Sequence, residues 1–267
     1  GNLQARAVAL LNIAPDHLDW HGTLDAYAEA KASIADGRMP GGVLAFNIDD
    51  RRVAEIASRA APPVVACSGH RLPQPGNGVA DDGLVIDGVR YDVATEDPTY
   101  RFDLVVAGTL ALALGATPDG IGAITSTFVP GPHRRETVGT IDGVVYVNDS
   151  KATNPHAAVA AAAAYESVVL LAGGRNKGLD LTPLVGVPTV RVLVPFGESG
   201  HEIAEIAGIG DAHATLAEAF AAARGMARVG DTVLLSPGCA SFDEFSSYEE
   251  RGDVFRALVH DIAGEAA

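Results

Sequence analysis

The chain has 267 residues, 48% of them hydrophobic, which is enough to bury the core of one large domain or two modest ones. Its 19 basic and 34 acidic residues give a net charge of −15, which argues against nucleic acid as a general partner. No apolar run approaches the ~20 residues of a membrane helix, and the first residues do not resemble a signal peptide, so we expect no membrane partner and a cytoplasmic location. Cys67 and Cys239 are too few and too far apart to suggest a disulfide framework.

The first half of the chain alternates strand-like and helix-like segments, which is typical of parallel strands joined by helical crossovers. Strands are predicted at 7–14, 41–48 and 62–68, and helices at 23–36, 50–60 and 103–115. Residues 83–93 interrupt this rhythm. The Asp87-Gly88 pair between two apolar runs is a hairpin signal, so we expect a small antiparallel edge there.

A domain boundary is predicted at the segment Val129-Pro130-Gly131-Pro132-His133. Its two prolines and its glycine cannot continue a helix or a central strand. Beyond it, Val- and Leu-rich strands alternate with helices again, and the final helix is predicted at 247–263. The sequence therefore predicts two α/β domains, residues 1–128 and 129–267.

The segment VNDSKATNP, residues 147–155, holds one of only three lysines in the chain. A strand ends here, and Asn154-Pro155 then supplies an N-cap and a first-turn proline for a helix. Asp149, Lys151 and Thr153 would lie at the carboxyl end of a strand beside a helix N-terminus, where open α/β sheets bind ligands. An ordinary polar loop is the alternative.

Two further strand ends carry polar segments: GGRNKG with Lys177, and SPGCASFDE with Ser241. Ser241 and Glu244 also fit a capping box, which would make Ser241 purely structural. If the three strands are parallel, all three segments face one crevice. A basic crevice in an acidic protein suggests a small anionic substrate.

The segment NIAPDHLDWH and the helix after it suggest a metal site. His17 lies between two carboxylates, which suits a metal ligand, although a capping or packing histidine is the alternative. Leu24, Tyr27, Ala28 and Lys31 follow helical spacing, so Lys31 projects from the apolar stripe unless it snorkels to water. A desolvated lysine has a depressed pKa and can react with carbon dioxide to give a carbamate, an anionic metal ligand.

Four segments in this order resemble the bacterial Mur ligases. They are NIAPDHLDWHG with Lys31, the basic patch GPHRRE, NDSKATNPHA with AGGRNKG, and LLSPGCASFDEFSSYEERG. The last two resemble the branch that joins D-glutamate to UDP-N-acetylmuramoyl-L-alanine, and NDSKATNPHA is similar to actinobacterial members. The resemblance implies a partial P-loop-type ATP-binding central domain followed by a Rossmann-like doubly wound C-terminal domain.

The resemblance further implies a monomeric, ATP- and Mg²⁺-dependent ligase of peptidoglycan synthesis that forms an acyl phosphate, which D-glutamate then attacks. In that pattern His17 is a magnesium ligand and Lys31 the carbamylated lysine. Arg134 contacts the ATP phosphate, Asp149 the nucleotide, and Lys151 the reacting phosphate. The D-glutamate pocket is formed by Thr153, Lys177, Ser241 and Tyr248.

Two features depart from the family pattern. The phosphate-binding loop and the UDP-binding domain are expected upstream of Gly1, so we expect no ligase turnover from the 267 residues alone. Val106 stands where the family has an adenine-contacting asparagine. These departures leave open a non-catalytic binding protein for an acidic amino acid or nucleotide. A ligase that adds glutamate to another carrier, such as a folate, is a third hypothesis.

Overall fold

A computed structural model describes residues 4–16, 18–81 and 83–265, with the backbone alone for Leu18, Asp19 and Glu265. Two compact units are present: Gly1–Ala14 with His21–Val129, and Pro15–Trp20 with Pro130–Ala267. Residues 15–20 were expected in the first domain, and their grouping with the second unit differs from that expectation. The side-chain contacts of Asp16, given below, account for the difference.

The elements of the chain up to residue 129 alternate as the sequence predicts, with three additions. They are β1 Ala5–Leu10, α1 Leu18–His21, α2 Leu24–Asp36, β2 Arg38–Asn47, α3 Arg51–Ala57, β3 Val64–Ser68, β4 Asn77–Ala80, β5 Gly83–Ile86, β6 Val89–Tyr91, α4 Pro98–Ala113 and α5 Pro118–Thr125. The short α1, β4 and α5 were not predicted. The helix α1 has only four residues, and glycines weaken the pattern of the other two, one in β4 and two in α5.

The first sheet has the order β1-β2-β3-β4-β5-β6, parallel up to β4 and antiparallel for the last two pairings. The predicted hairpin joins β5 and β6. Asp87 and Gly88 have φ values of 51° and 74°, as a two-residue turn of this kind requires.

The second unit contains a sheet built around parallel strands. Its elements are β7 Glu136–Ile141, β8 Val144–Asn148, α6 Pro155–Ala162, β9 Val168–Gly173, β10 Val190–Phe196, α7 Gly200–Ala207, α8 Leu216–Met226, β11 Thr232–Gly238 and α9 Tyr248–Glu265. The order is β10-β9-β11-β8-β7, with β7 antiparallel to β8 and the other pairings parallel. The strand β7 was not predicted, although Asp142-Gly143 carries the same hairpin signal as Asp87-Gly88.

The second sheet is buried on both faces, which explains its nearly continuous apolar strands. All six residues of β9 are buried, and alternate ones face opposite sides. Val169 and Leu171 pack in one apolar cluster, while Val168 and Leu170 pack in the other. A fully buried Val or Leu side chain contributes about 1.5–3 kcal/mol, so these clusters hold the strand ends in place. The α/β fold class is confirmed.

In the ranges that the structure describes, every helix is too short or too polar to cross a membrane.

Candidate functional site

Three polar segments follow adjacent parallel strands of the second sheet. They come after β8, β11 and β9, which are neighbours in that order. Because carboxyl ends of parallel strands meet at one edge of a sheet, the segments that begin at Asp149, Cys239 and Gly174 lie side by side. The three segments that were expected to face one crevice therefore share this edge of the sheet, and the crevice as a binding site stays a prediction.

Backbone hydrogen bonds connect the three segments. The Gly238 N–H donates to the Ala152 carbonyl at 2.9 Å. Arg175 and Ala240 exchange two bonds of 2.9 and 3.0 Å. The geometry needs glycine at 174, where φ is 118° and an added Cβ would lie 2.3 Å from the Ala240 carbonyl oxygen. The edge is thus a connected backbone framework.

Asp149 is the most buried carboxylate of this edge, with 8% of its surface exposed. One carboxylate oxygen accepts from the Ser236 hydroxyl at 2.8 Å and the other from the Arg135 N–H at 3.1 Å. Burial raises the pKa of Asp149 to about 6, and the bond from Ser236 and the charge of Arg135 oppose that rise. The carboxylate keeps free acceptor positions, because two bonds use only part of its lone pairs.

A buried polar pair supports the segment before Arg134. The Asn148 side-chain amide nitrogen lies 3.0 Å from His133 Nδ1 and donates to the Gly252 carbonyl at 3.0 Å. Because an amide nitrogen can only donate, Nδ1 is the acceptor in this hydrogen bond. The Lys151 N–H donates to the His133 carbonyl at 3.1 Å. The exposed Arg134 therefore follows a residue that is fixed on two sides.

Glu136 completes the support of this segment. Its carboxylate accepts from the His133 N–H at 3.0 Å and pairs with the Arg256 guanidinium of α9 at 3.0 Å. Burial acts to raise the pKa of Glu136, but these two partners outweigh it and lower the pKa. A cationic loop is thus held by a carboxylate that stays charged at neutral pH.

Lys177 is engaged by a carboxylate in this structure. Its ammonium lies 2.9 Å from an oxygen of Asp16, and both side chains are largely buried, at 21% and 17% exposed. The other Asp16 oxygen accepts from the Asn154 amide at 3.3 Å. Lys177 and Asn154 therefore already bind one carboxylate together. Thr153, beside Asn154, is half-buried.

Ser241 does not belong to a capping box, so that interpretation was wrong. The helix α9 begins at Tyr248, seven residues later, and Ser241 is 1% exposed inside a turn. The Phe245 N–H donates to the Ser241 carbonyl at 2.8 Å. Glu244 instead accepts from the Leu216 N–H at 3.0 Å, at the first residue of α8. The carboxylate caps a helix distant in sequence, which a local motif cannot indicate.

Sequence reasoning missed Arg251, a fully buried arginine at this edge. Its guanidinium donates to the Ser150 carbonyl at 2.8 Å, to the Ser150 hydroxyl at 2.9 Å and to the Cys239 carbonyl at 3.1 Å. Burial lowers its pKa. The sequence does carry a signal for this buried arginine, because Arg251 precedes Phe255 by four residues and so lies on the apolar stripe of α9. The same spacing argument had singled out Lys31.

Lys31 lies on the half-buried side of α2. Its ammonium donates to the Asn12 carbonyl at 3.1 Å and lies 4.6 Å from the centroid of the Tyr27 ring. His17 lies outside the described residues. Within the described ranges, no group of three or more His, Cys, Asp or Glu side chains could hold a metal ion. A metal role for His17 and Lys31 stays a prediction.

Val106 is buried in the first unit, at 4% exposure, where it packs in an apolar cluster with Cys67 and Leu84. A side chain at this position faces the apolar core between α4 and the first sheet. The proposed loss of an adenine contact at position 106 stays a prediction.

Comparison with known proteins matches both halves of the chain to one family. Residues 1–72 match the Mur ligase middle domain, and residues 133–239 match the Mur ligase glutamate ligase domain. The chain belongs to the Mur ligase family. Lys31 lies in the first match, and Arg134, Asp149, Lys151, Thr153 and Lys177 lie in the second.

Two curated relatives of this Mur ligase chain carry the same name, UDP-N-acetylmuramoylalanine–D-glutamate ligase. The protein of Mycolicibacterium smegmatis is 37% identical over 98% of this chain and 63% of its own length. That of Frankia casuarinae is 43% identical over 95% of this chain and 57% of its own length. The chain thus spans about three fifths of the relatives it matches.

A solved structure shares the fold. Escherichia coli FolC, in complex with DHPP and ADP, has a TM-score of 0.67 and 18% identity, and the match covers 99% of this chain and 63% of that one. At this identity the likeness concerns the fold alone.

Proposed function

We propose that these residues belong to a ligase that uses ATP and Mg²⁺ to join D-glutamate to UDP-N-acetylmuramoyl-L-alanine. The proposal rests on one observation: Asp149 and Lys151 follow β8 at an edge where β11 and β9 also end in polar segments. Relatives at 37% and 43% identity bear the name of this activity. ATP and a nucleotide-linked sugar are cytoplasmic metabolites, which would place the reaction in the cytoplasm.

In this proposal the side chains of the second unit bind the charged and polar groups of the nucleotide and of D-glutamate. The Lys151 ammonium and the Arg134 guanidinium would offset the negative charge of the transferring phosphate. Asp149 would accept a hydrogen bond from the nucleotide through an oxygen position that Ser236 and Arg135 leave open. Lys177 would bind a carboxylate of D-glutamate, as it binds that of Asp16 here.

The remaining D-glutamate contacts would come from Thr153, Ser241 and Tyr248. Magnesium would supply Lewis-acid stabilisation, with His17 and the Lys31 carbamate as its protein ligands. The proposed enzyme works as a monomer. A folate-type carrier has weaker support, because FolC is similar in fold only.

The test is phosphate release by the protein that carries this chain, with ATP, magnesium and the muramoyl-alanine nucleotide. We expect release that requires D-glutamate and is not supported by L-glutamate. Lys151→Ala should lower kcat by roughly 10²-fold or more, since removal of one charge-stabilising donor has this effect.

The control is Arg51→Ala on α3 of the first unit, where the side chain is 92% exposed. It removes one positive charge and should leave the rate unchanged. The proposal would be overturned if phosphate release were equal with D-glutamate and L-glutamate. It would also be overturned if Lys151→Ala and Arg51→Ala lowered kcat by the same factor.

A further inference from the structure

The Lys151 ammonium lies on an aromatic ring face. Its Nζ is 3.8 Å from the centroid of the Tyr248 ring. Within the described ranges, Lys151 forms no ion pair with a carboxylate. Lys177 differs, because its ammonium pairs with Asp16 at 2.9 Å. The two site lysines of the second unit are therefore held by chemically different partners.

The Tyr248 ring is itself fixed. The Ser150 hydroxyl donates to the Tyr248 carbonyl at 2.8 Å, which anchors the first residue of α9. The buried His133 ring contacts the Tyr248 ring edge-on, with 6.2 Å between centroids and 81° between planes. The backbone of Lys151 is also bound to His133. Both members of the pair thus rest on the same buried support.

An aromatic face holds a cation without cancelling its charge. The ring attracts the ammonium through its quadrupole but carries no net charge, whereas a carboxylate at the same place would neutralise it. We propose that Tyr248 is a positioning residue, whose ring holds the Lys151 ammonium in place with its charge available to a bound phosphate. The phosphate part of this inference rests on the proposed function; the ring contact does not.

The proposed role belongs to the aromatic ring of Tyr248 and not to its hydroxyl group. Phenylalanine supplies the same face, so Tyr248→Phe should keep Lys151 in place, and Tyr248→Leu should release it. A competing anchor is Glu249, whose pKa is lowered chiefly by the Tyr248 hydroxyl and least by the charge of Lys151. If Glu249 held the ammonium, Glu249→Gln would release it instead.

The experiment uses the small number of lysines in this chain, which are Lys31, Lys151 and Lys177. Lysine labelled with ¹³C at Cε should give three resolved ¹H–¹³C signals, and Lys151→Arg identifies one by its loss. A proton above a ring is shifted upfield by the ring current. We expect the upfield shift of Lys151 to persist in Tyr248→Phe and Glu249→Gln and to disappear in Tyr248→Leu.

A matched control is Tyr27→Leu, because Lys31 lies 4.6 Å from the Tyr27 ring centroid. It should move the Lys31 signal and leave that of Lys151 in place. An unchanged Lys177 signal reports that Tyr248→Leu is folded, because Lys177 and Tyr248 belong to the same compact unit. A Lys151 signal that is unshifted in the wild type, or that moves in Glu249→Gln and not in Tyr248→Leu, would overturn the inference.

Titration with ADP tests whether the Lys151 ammonium binds a phosphate group. We expect the Lys151 signal to move on binding, with affinity retained in Tyr248→Phe and roughly 3- to 10-fold weaker in Tyr248→Leu, on the scale of a cation–π contact. If ADP binds equally to all three proteins, Tyr248 does not serve the phosphate. If ADP binds to none of them, the proposed nucleotide site fails, while the ring-current result still decides the placement of Lys151.

Discussion

Asp149 combines a buried position with a raised pKa. Its carboxyl group has a pKa of about 6 in the folded chain, against an ordinary value of 3.8, chiefly because it is buried. The folded chain therefore holds this proton more tightly than the unfolded chain does. Stability is lost as the pH rises from about 4 to about 6, because the folded state must then carry a desolvated charge.

Asp149→Asn removes this charge and should stabilise the protein at neutral pH. The amide oxygen can still accept from the Arg135 N–H, and its nitrogen can donate to Ser236. Each pKa unit corresponds to about 1.4 kcal/mol, so the variant should gain about 3 kcal/mol over wild type between about pH 4 and pH 7. Urea unfolding at several pH values measures the gain.

Asp211→Asn is the control for Asp149→Asn, because it removes an exposed carboxylate from the same unit. Its effect on the free energy of unfolding should change little over that pH range. A difference between Asp149→Asn and wild type that is independent of pH would contradict the raised pKa. In the proposed function, nucleotide binding weakens in the Asp149→Asn variant while its stability rises.

At the scale of elements, α9 connects the polar segments of the second sheet. Arg251 binds the segments after β8 and β11, and Gly252 lies against His133. A Cβ added to Gly252 would lie 2.1 Å from His133 Nδ1, which real contacts do not allow. The helix approaches the strand ends this closely only because residue 252 has no side chain.

Gly252→Ala should therefore destabilise the protein, although alanine is the better helix former by about 1 kcal/mol. We expect a loss of about 1–3 kcal/mol from overpacking. Gly264→Ala on the same helix has open space around it and should be neutral or stabilising. Thermal unfolding of both variants gives the comparison, and equal Tm values for the two would refute the close packing.

Sequence patterns predicted most elements but few of their long-range contacts. Apolar periodicity and the Asp87-Gly88 turn are local, and they located strands and helices within a few residues. Asp16 and Lys177 lie 161 positions apart, and Ser236 and Asp149 lie 87 apart. Such pairs follow from tertiary packing, so the buried partners of the site residues could not be predicted. Arg251 is different, because its spacing from Phe255 places it on the apolar face of α9 and its burial could have been predicted from the sequence.

At the scale of the whole molecule, each unit has its own apolar clusters. Leu44 is fully buried among residues of the first sheet and its helices, and Leu171 among those of the second. The two substitutions Leu44→Ala and Leu171→Ala remove equal volumes from separate cores. Each should cost about 2–5 kcal/mol in its own unit.

Differential scanning calorimetry should then resolve two transitions. Leu44→Ala should lower one of them and Leu171→Ala the other. A single transition, lowered equally by both substitutions, would show that the chain unfolds as one cooperative body. The matched change of side chain makes the two variants controls for each other.

The buried guanidinium of Arg251 also bears on when this edge of the sheet can form. Its partner Ser150 lies 101 positions earlier in the chain, and its other partner, Cys239, lies 12 positions earlier. During synthesis, β8 emerges about one hundred residues before Arg251. The segment after β8 therefore lacks its hydrogen bonds to Arg251 until α9 has been made. We expect this contact to form late in folding, because it closes a loop of about one hundred residues and such closure is entropically costly.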